Sequence, residues 1–173
     1  MVGCPNPYDA MVREYNEEEY VILDLIRLGE YVKNGYNLEN IMKQSLTHEF
    51  AHKCIGEKYR ISDNLSYIEK LSYITFDEGF AHLLSYKENI ENHDFNSEIY
   101  IEKFNKSKKV LAQSINEKEI IEQERLSLSA NSGVYWDKFA AICGKLYLAK
   151  HINSLLEIYE KGWNDIIADI LKE

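Results

Sequence analysis

The sequence predicts a mainly α domain, α+β at most, with no more than a small sheet near its N-terminus. Three observations carry that expectation. The 173 residues are 45% apolar with only two prolines, which fits one compact domain over residues 1–173 with its own core. Polar punctuation divides the chain into segments, most of which read as helices. A single early apolar run, Tyr20 to Leu28, admits a strand, placed at Tyr20 to Leu25.

The elements follow in order. Gly35 breaks the chain after the apolar run. Asn37 is a good N-cap for a helix from Leu38 to Ile55, with Glu39 facing the positive end of the helix dipole and Gly56 as its stop. Ile41, Ser45, His48, His52 and Ile55 share one face of that helix. A second helical region runs from Asp63 to Tyr86, with a break near Thr75. Asn89 to Asn96 is polar and loop-like. Ser97 to Ile115 and Asn116 to Ser127 read as amphipathic helices, with Ile99, Phe104, Val110 and Leu111 supplying apolar contacts. Ala130 to Gly133 is a turn, and Val134 to Ala149 another helix. Asn153 to Tyr159 and Trp163 to Leu171 close the chain as helices parted by Gly162.

Charge and composition exclude several classes of partner. A net charge of −9, from 29 acidic and 20 basic residues, opposes nucleic-acid binding, which needs clustered Lys and Arg. The densest basic run, Lys103 to Lys109, reads as a solvated helix face. No stretch approaches the roughly 20 apolar residues of a membrane helix. Met1 to Ala10 lacks the basic start and apolar core of a signal peptide, which predicts a cytoplasmic protein. Cys4, Cys54 and Cys143 are odd in number and lack a C-x-x-C, so they read as free thiols packed in the interior.

His48-Glu49-Phe50-Ala51-His52 is the stretch that carries chemistry. Four residues of helix advance about 6 Å and return the side chain almost full circle. Both imidazoles can therefore hold one Zn²⁺. The uncharged residues Ser45, Leu46 and Thr47 before the motif suit a buried metal-binding helix. Glu49 lies about 100° around the helix, beside the metal face. A carboxylate there can take a proton from a metal-activated water and pass it to a leaving amine. The plain alternative is two hydrogen-bonded histidines and a surface carboxylate.

A third ligand must come from elsewhere. The pattern H-E-x-x-H-x-x-G-x-x-H with a later methionine turn does not apply. Ile55 and Lys58 occupy its glycine and last histidine positions, and Met1, Met11 and Met42 all precede the motif. Glu78 is the leading candidate, Glu69 the reserve and Asp63 a weaker third. Thr75-x-x-Glu78 also reads as a capping box, in which Glu78 merely closes a helix start.

Asp77-Glu78-Gly79-Phe80-Ala81 resembles the N-E-G-F-A segment of the zinc aminopeptidases of the gluzincin group. The resemblance implies a zincin-like metallopeptidase domain that acts on peptides or proteins, with Glu78 as the third zinc ligand. It implies that the glycine after Glu78 lets helices approach closely, and that His82, four residues on, supports a ligand from behind. For His82 a hydrogen-bonded place near the core stays open. Twenty-five residues separate His52 from Glu78, a spacing similar to that of small bacterial families of zinc-dependent peptidases in the same group. No G-x-M-E-N segment precedes His48 to anchor a free amino end, so an endopeptidase is expected. Val134-Tyr135-Trp136-Asp137-Lys138 loosely resembles the V-Y-x-K-G helix start of that group, where the tyrosine hydroxyl stabilises an oxyanion. Tyr135 is thus either catalytic or, as one of 13 tyrosines, packed in the core. The resemblance is tight over residues 47–53 and 76–82. His93 and His151 read as structural. The rival readings are a catalytically inactive zinc-containing helical binding module and a helical protein whose histidines coincide by chance.

Overall fold

In the computed structural model, residues 9–62, 64–86, 90 and 93–173 are described, and the architecture is mainly α with a two-stranded antiparallel sheet. Strands β1 (Ala10–Tyr15) and β2 (Glu18–Leu23) pair from Ala10↔Leu23 to Tyr15↔Glu18. The two-residue loop between them needs left-handed backbone at both positions, and Asn16 (φ 52°) and Glu17 (φ 64°) adopt it. Asp24 then ends the sheet. Its carboxylate accepts from the backbone N–H of Ile26 and Arg27 and caps helix α1 (Leu25–Lys33). The expected strand at Tyr20 to Leu25 is therefore shifted: it begins two residues earlier, and Leu25 belongs to a helix. Strand β1 itself, with Arg13 and Glu14 in its middle, has no apolar run to announce it.

Helix α2 (Leu38–Lys58) starts as expected, with the Asn37 side chain accepting from Asn40 N at 3.0 Å. It runs through Gly56, which keeps helical backbone, and ends at Lys58 rather than Ile55. Helix α3 (Tyr67–Leu84) opens on a capping box built from Ser66 and Glu69, not from Thr75 and Glu78. The helix is unbroken at Thr75, whose hydroxyl donates to Leu71 O at 2.7 Å. Helices α4 (Glu98–Ser114) and α5 (Ile120–Ser129) follow. The helix expected over Val134 to Ala149 is divided: a 3₁₀ turn at Tyr135–Asp137 precedes α6 (Phe139–Lys150). Lys138, with ψ 73°, leaves helical backbone between them. Helices α7 (Leu155–Lys161) and α8 (Ile166–Lys172) end the chain, separated by Gly162 at φ 85°.

The core is organised around α6. Its residues Phe139 to Ala149 are all buried, the mark of a helix surrounded by others. It packs chiefly on α3 and α4, and α3 packs in turn on α2. The α3–α6 contact is glycine-mediated. A Cβ on Gly144 would stand 1.9 Å from Thr75 O, and one on Gly79 2.8 Å from Gly144 C. The close approach expected after Glu78 is thus real, and its partner is α6. Cys143 is buried here, whereas Cys54 is exposed; Cys4 and Asp63 lie outside the described residues. Among the described residues no helix is long and apolar enough to cross a membrane.

Candidate metal centre

Helix α2 projects His48 and His52 from one face, and their Nε2 atoms lie 3.1 Å apart. Helix α3 brings Glu78 to the same point. One carboxylate oxygen is 3.6 Å from His48 Nε2 and the other 3.9 Å from His52 Nε2. His48, His52 and Glu78 are the group of donors, among the described residues, whose atoms all lie within 4.8 Å of one another.

Each donor is held from behind. His52 Nδ1 donates to Asp77 Oδ2 at 2.8 Å. The His48 ring bonds the backbone of Ala81. Asn131 Nδ2 donates to Glu78 Oε1 at 2.9 Å, whereas His82 Nε2, 3.5 Å from Glu78 Oε2, is buried without a hydrogen bond. With its other nitrogen engaged, each imidazole turns an Nε2 lone pair toward its neighbour. Two lone pairs 3.1 Å apart repel unless a cation or a proton stands between them. Donors about 2.1 Å from a tetrahedral ion lie roughly 3.4 Å from one another. The imidazole separation of 3.1 Å is near that value, and each imidazole has a Glu78 oxygen within 3.9 Å. One donor atom from each residue lies within 4.8 Å of the other two, so the group could hold a metal ion.

Electrostatics follow from burial and these partners. Burial, with the charges of His52 and Lys138, pushes His48 down to about 3. Burial also opposes charge on His52, but the Asp77 hydrogen bond and the charges of Asp77, Glu78 and Glu49 outweigh it and raise His52 to about 9. Burial raises the Glu78 carboxyl, against the opposing pull of His52 and Asn131. His82 is held neutral, well below its ordinary value, chiefly by burial.

These groups line a cavity of about 560 Å³. Glu49, only 9% exposed, lines it too, and burial raises its carboxyl. The opposite wall is β1. Asp24 N bonds Asp9 O, so along the antiparallel ladder Val12 turns its N–H and C=O away from β2. The Val12 backbone reaches Glu49, and Val12 O accepts from Arg13 Nη1 at 3.1 Å. This outer edge of the sheet thus runs along the cavity beside the Glu49 carboxylate.

Tyr135 reaches the cavity wall with its ring edge-on to His82, centroids 5.4 Å apart. Its hydroxyl accepts from Lys145 Nζ at 2.7 Å and also bonds Tyr86. Lys145 is fully buried, with its amine 3.9 Å from the ring centre of Tyr86 and 5.3 Å from that of Tyr135. Burial lowers that amine to about 7.

The fold gathers His48, Glu49, His52, Glu78, His82 and Tyr135 around one cavity. Glu69 stays away as a solvent-exposed cap. His93 pairs with Tyr100 and His151 with Glu173, both outside the cavity. Asp77, Asn131, Lys138 and Lys145 were not foreseen as parts of the site. Asp77 had a signal, its place beside Glu78; Asn131, in a turn 53 residues from Glu78, had none. Compared with family models, with curated proteins and with solved structures, the chain has no match.

Proposed function

We propose that this chain is a zinc-dependent peptidase of gluzincin type, cutting within peptides rather than from an end. The observation that carries the reading is the convergence of two imidazoles and a carboxylate, each braced by its own partner, beside a buried Glu49 in one cavity. His48, His52 and Glu78 hold the ion, and zinc suits a site of two nitrogens and one oxygen. A bound ion supplies positive charge that acidifies water and polarises a carbonyl.

The chain's own residues do the rest. Glu49, with its carboxyl raised by burial, takes the proton of the attacking water and delivers it to the departing amine. Asp77 and Asn131 fix the orientation of His52 and Glu78. An extended substrate pairs with the outward edge of β1 along the cavity, where Ala10 and Glu14 also turn their backbone away from β2. Tyr135 stands at the wall, its hydroxyl engaged by Lys145 and Tyr86.

The test is the Glu49→Gln variant, loaded with zinc and offered a peptide library beside the unaltered protein. Cleavage by the unaltered chain, absent in a variant that keeps its zinc, is the expected result. Cleavage by neither, with zinc bound by both, replaces the peptidase with a zinc-containing binding module. Absence of bound zinc from both removes the metal centre altogether.

A further inference from the structure

The hydroxyl that the sequence offers to a developing oxyanion is turned inward. Tyr135 is the hydrogen-bond partner of Lys145, an amine with no exposed surface and otherwise walled by the rings of Tyr86, Tyr135, Phe95 and Tyr100. Withdrawing that hydroxyl would strand a buried polar group, which costs about 1–3 kcal/mol. Lys145 therefore keeps Tyr135 facing the core.

Three residues after Tyr135, at the point where the chain leaves helical backbone before α6, Lys138 lines the cavity together with His48, Glu49 and Glu78. It is half-buried, and its charge bears on His48, His82 and Glu78. Among the described residues it has no ion pair of its own. Of the other basic side chains at the cavity, Arg13 bonds Val12 O, and His82 Nε2 is buried 3.5 Å from Glu78 Oε2 without a hydrogen bond. A cation on a flexible stem beside a metal centre, with no ion pair of its own, suits an anion that arrives with the substrate or forms from it.

Resting on the peptidase reading, we propose that Lys138, rather than Tyr135, is the catalytic residue that meets the negative charge forming on the scissile carbonyl oxygen. As the water oxygen bonds to the carbonyl carbon, the C=O π pair moves onto that oxygen, and the Lys138 ammonium donates an N–H to it. When the C–N bond breaks, the pair returns to restore C=O, and the amine nitrogen takes the proton that Glu49 removed from water. Lys138 ends as it began.

The experiment compares zinc-loaded K138M, K138R and Y135F with the unaltered chain. Losing an oxyanion donor costs about 10²–10³ in rate. K138M should lower kcat about 100-fold with little change in KM, K138R should recover much of it, and Y135F should lose less than about 3-fold. A second readout needs no turnover: binding of a phosphonamidate dipeptide, whose tetrahedral P–O⁻ copies the oxyanion, and of a neutral bidentate chelator. K138M should weaken the phosphonamidate at least tenfold and leave the chelator unchanged. Equal phosphonamidate affinity in K138M, or a larger loss in Y135F than in K138M, overturns the proposal. If no variant and not even the unaltered chain cleaves peptides, the peptidase reading fails, and the phosphonamidate ratio alone judges Lys138 as an anion-binding group.

Discussion

His52 and Asp77 are joined by a 2.8 Å bond between Nδ1 and Oδ2, across 25 positions of sequence and from one helix to the next. The bond places a hydrogen on His52 Nδ1 and leaves Nε2 to face His48 and Glu78, as the proposed metal site requires. Carboxylates behind a ligating imidazole raise its basicity and hold its ring, and their loss typically costs about 10–100-fold in metal affinity.

Asp77→Asn should therefore weaken zinc binding by about 10–100-fold while leaving the helical circular-dichroism spectrum intact. A competition titration against a fluorescent chelator reads this directly. Unchanged affinity would remove Asp77 from the site.

The two candidate glutamates of α3 should separate cleanly. Glu78→Ala removes a donor that lies within 3.6 and 3.9 Å of the two imidazoles and should abolish stable zinc retention on gel filtration. Glu69→Ala breaks only the exposed capping box with Ser66 and should lower stability slightly with zinc content unaltered. The reverse ranking would transfer the ligand role to Glu69.

Gly144→Ala tests the packing that sets α3 against α6. The added methyl would lie 1.9 Å from the backbone oxygen of Thr75, an atom that cannot rotate aside. Overpacking a tight core costs about 1–3 kcal/mol and sometimes more, and the upper end is expected here. Urea unfolding measures it; a loss below about 0.5 kcal/mol would contradict the close approach.

The chelator-treated protein should show a stability optimum from its two facing histidines. His52, raised to about 9, contributes stability that is full below its unfolded value of about 6.5 and is lost as pH climbs through 9. His48, lowered to about 3, acts oppositely: the unfolded chain binds its proton first, so stability falls as pH drops below about 6.5 toward 3. The pair therefore favours folding most near neutrality. Saturating zinc replaces the proton between the rings and should flatten the alkaline limb. Denaturant midpoints at several pH values decide it, and a chelated protein with no decline from pH 7 to 9 would contradict the pairing.

Local order was legible in the sequence. The Asn37 cap, the α2 face shared by His48 and His52, and the mainly α class all depend on residues within a few turns of one another, where helical periodicity makes position readable. Gly79 was also legible, because only a missing Cβ permits so close a neighbour. Boundaries were less so. Asp24 as a cap displaced the expected strand, and Lys138 divided the helix expected after Gly133.

Tertiary packing alone decided the rest. Thr75 and Glu78 had two readings until α3 proved continuous and Ser66 took the capping role. Asn131 reaches Glu78, Lys145 claims Tyr135, and β1 walls the cavity beside Glu49 through contacts that no spacing rule encodes. The physical reason is range. A helix repeats every few residues and writes that repeat into its own sequence, whereas hydrogen bonds between elements depend on how whole helices seat against one another, which here turns on two glycines and a fully buried α6.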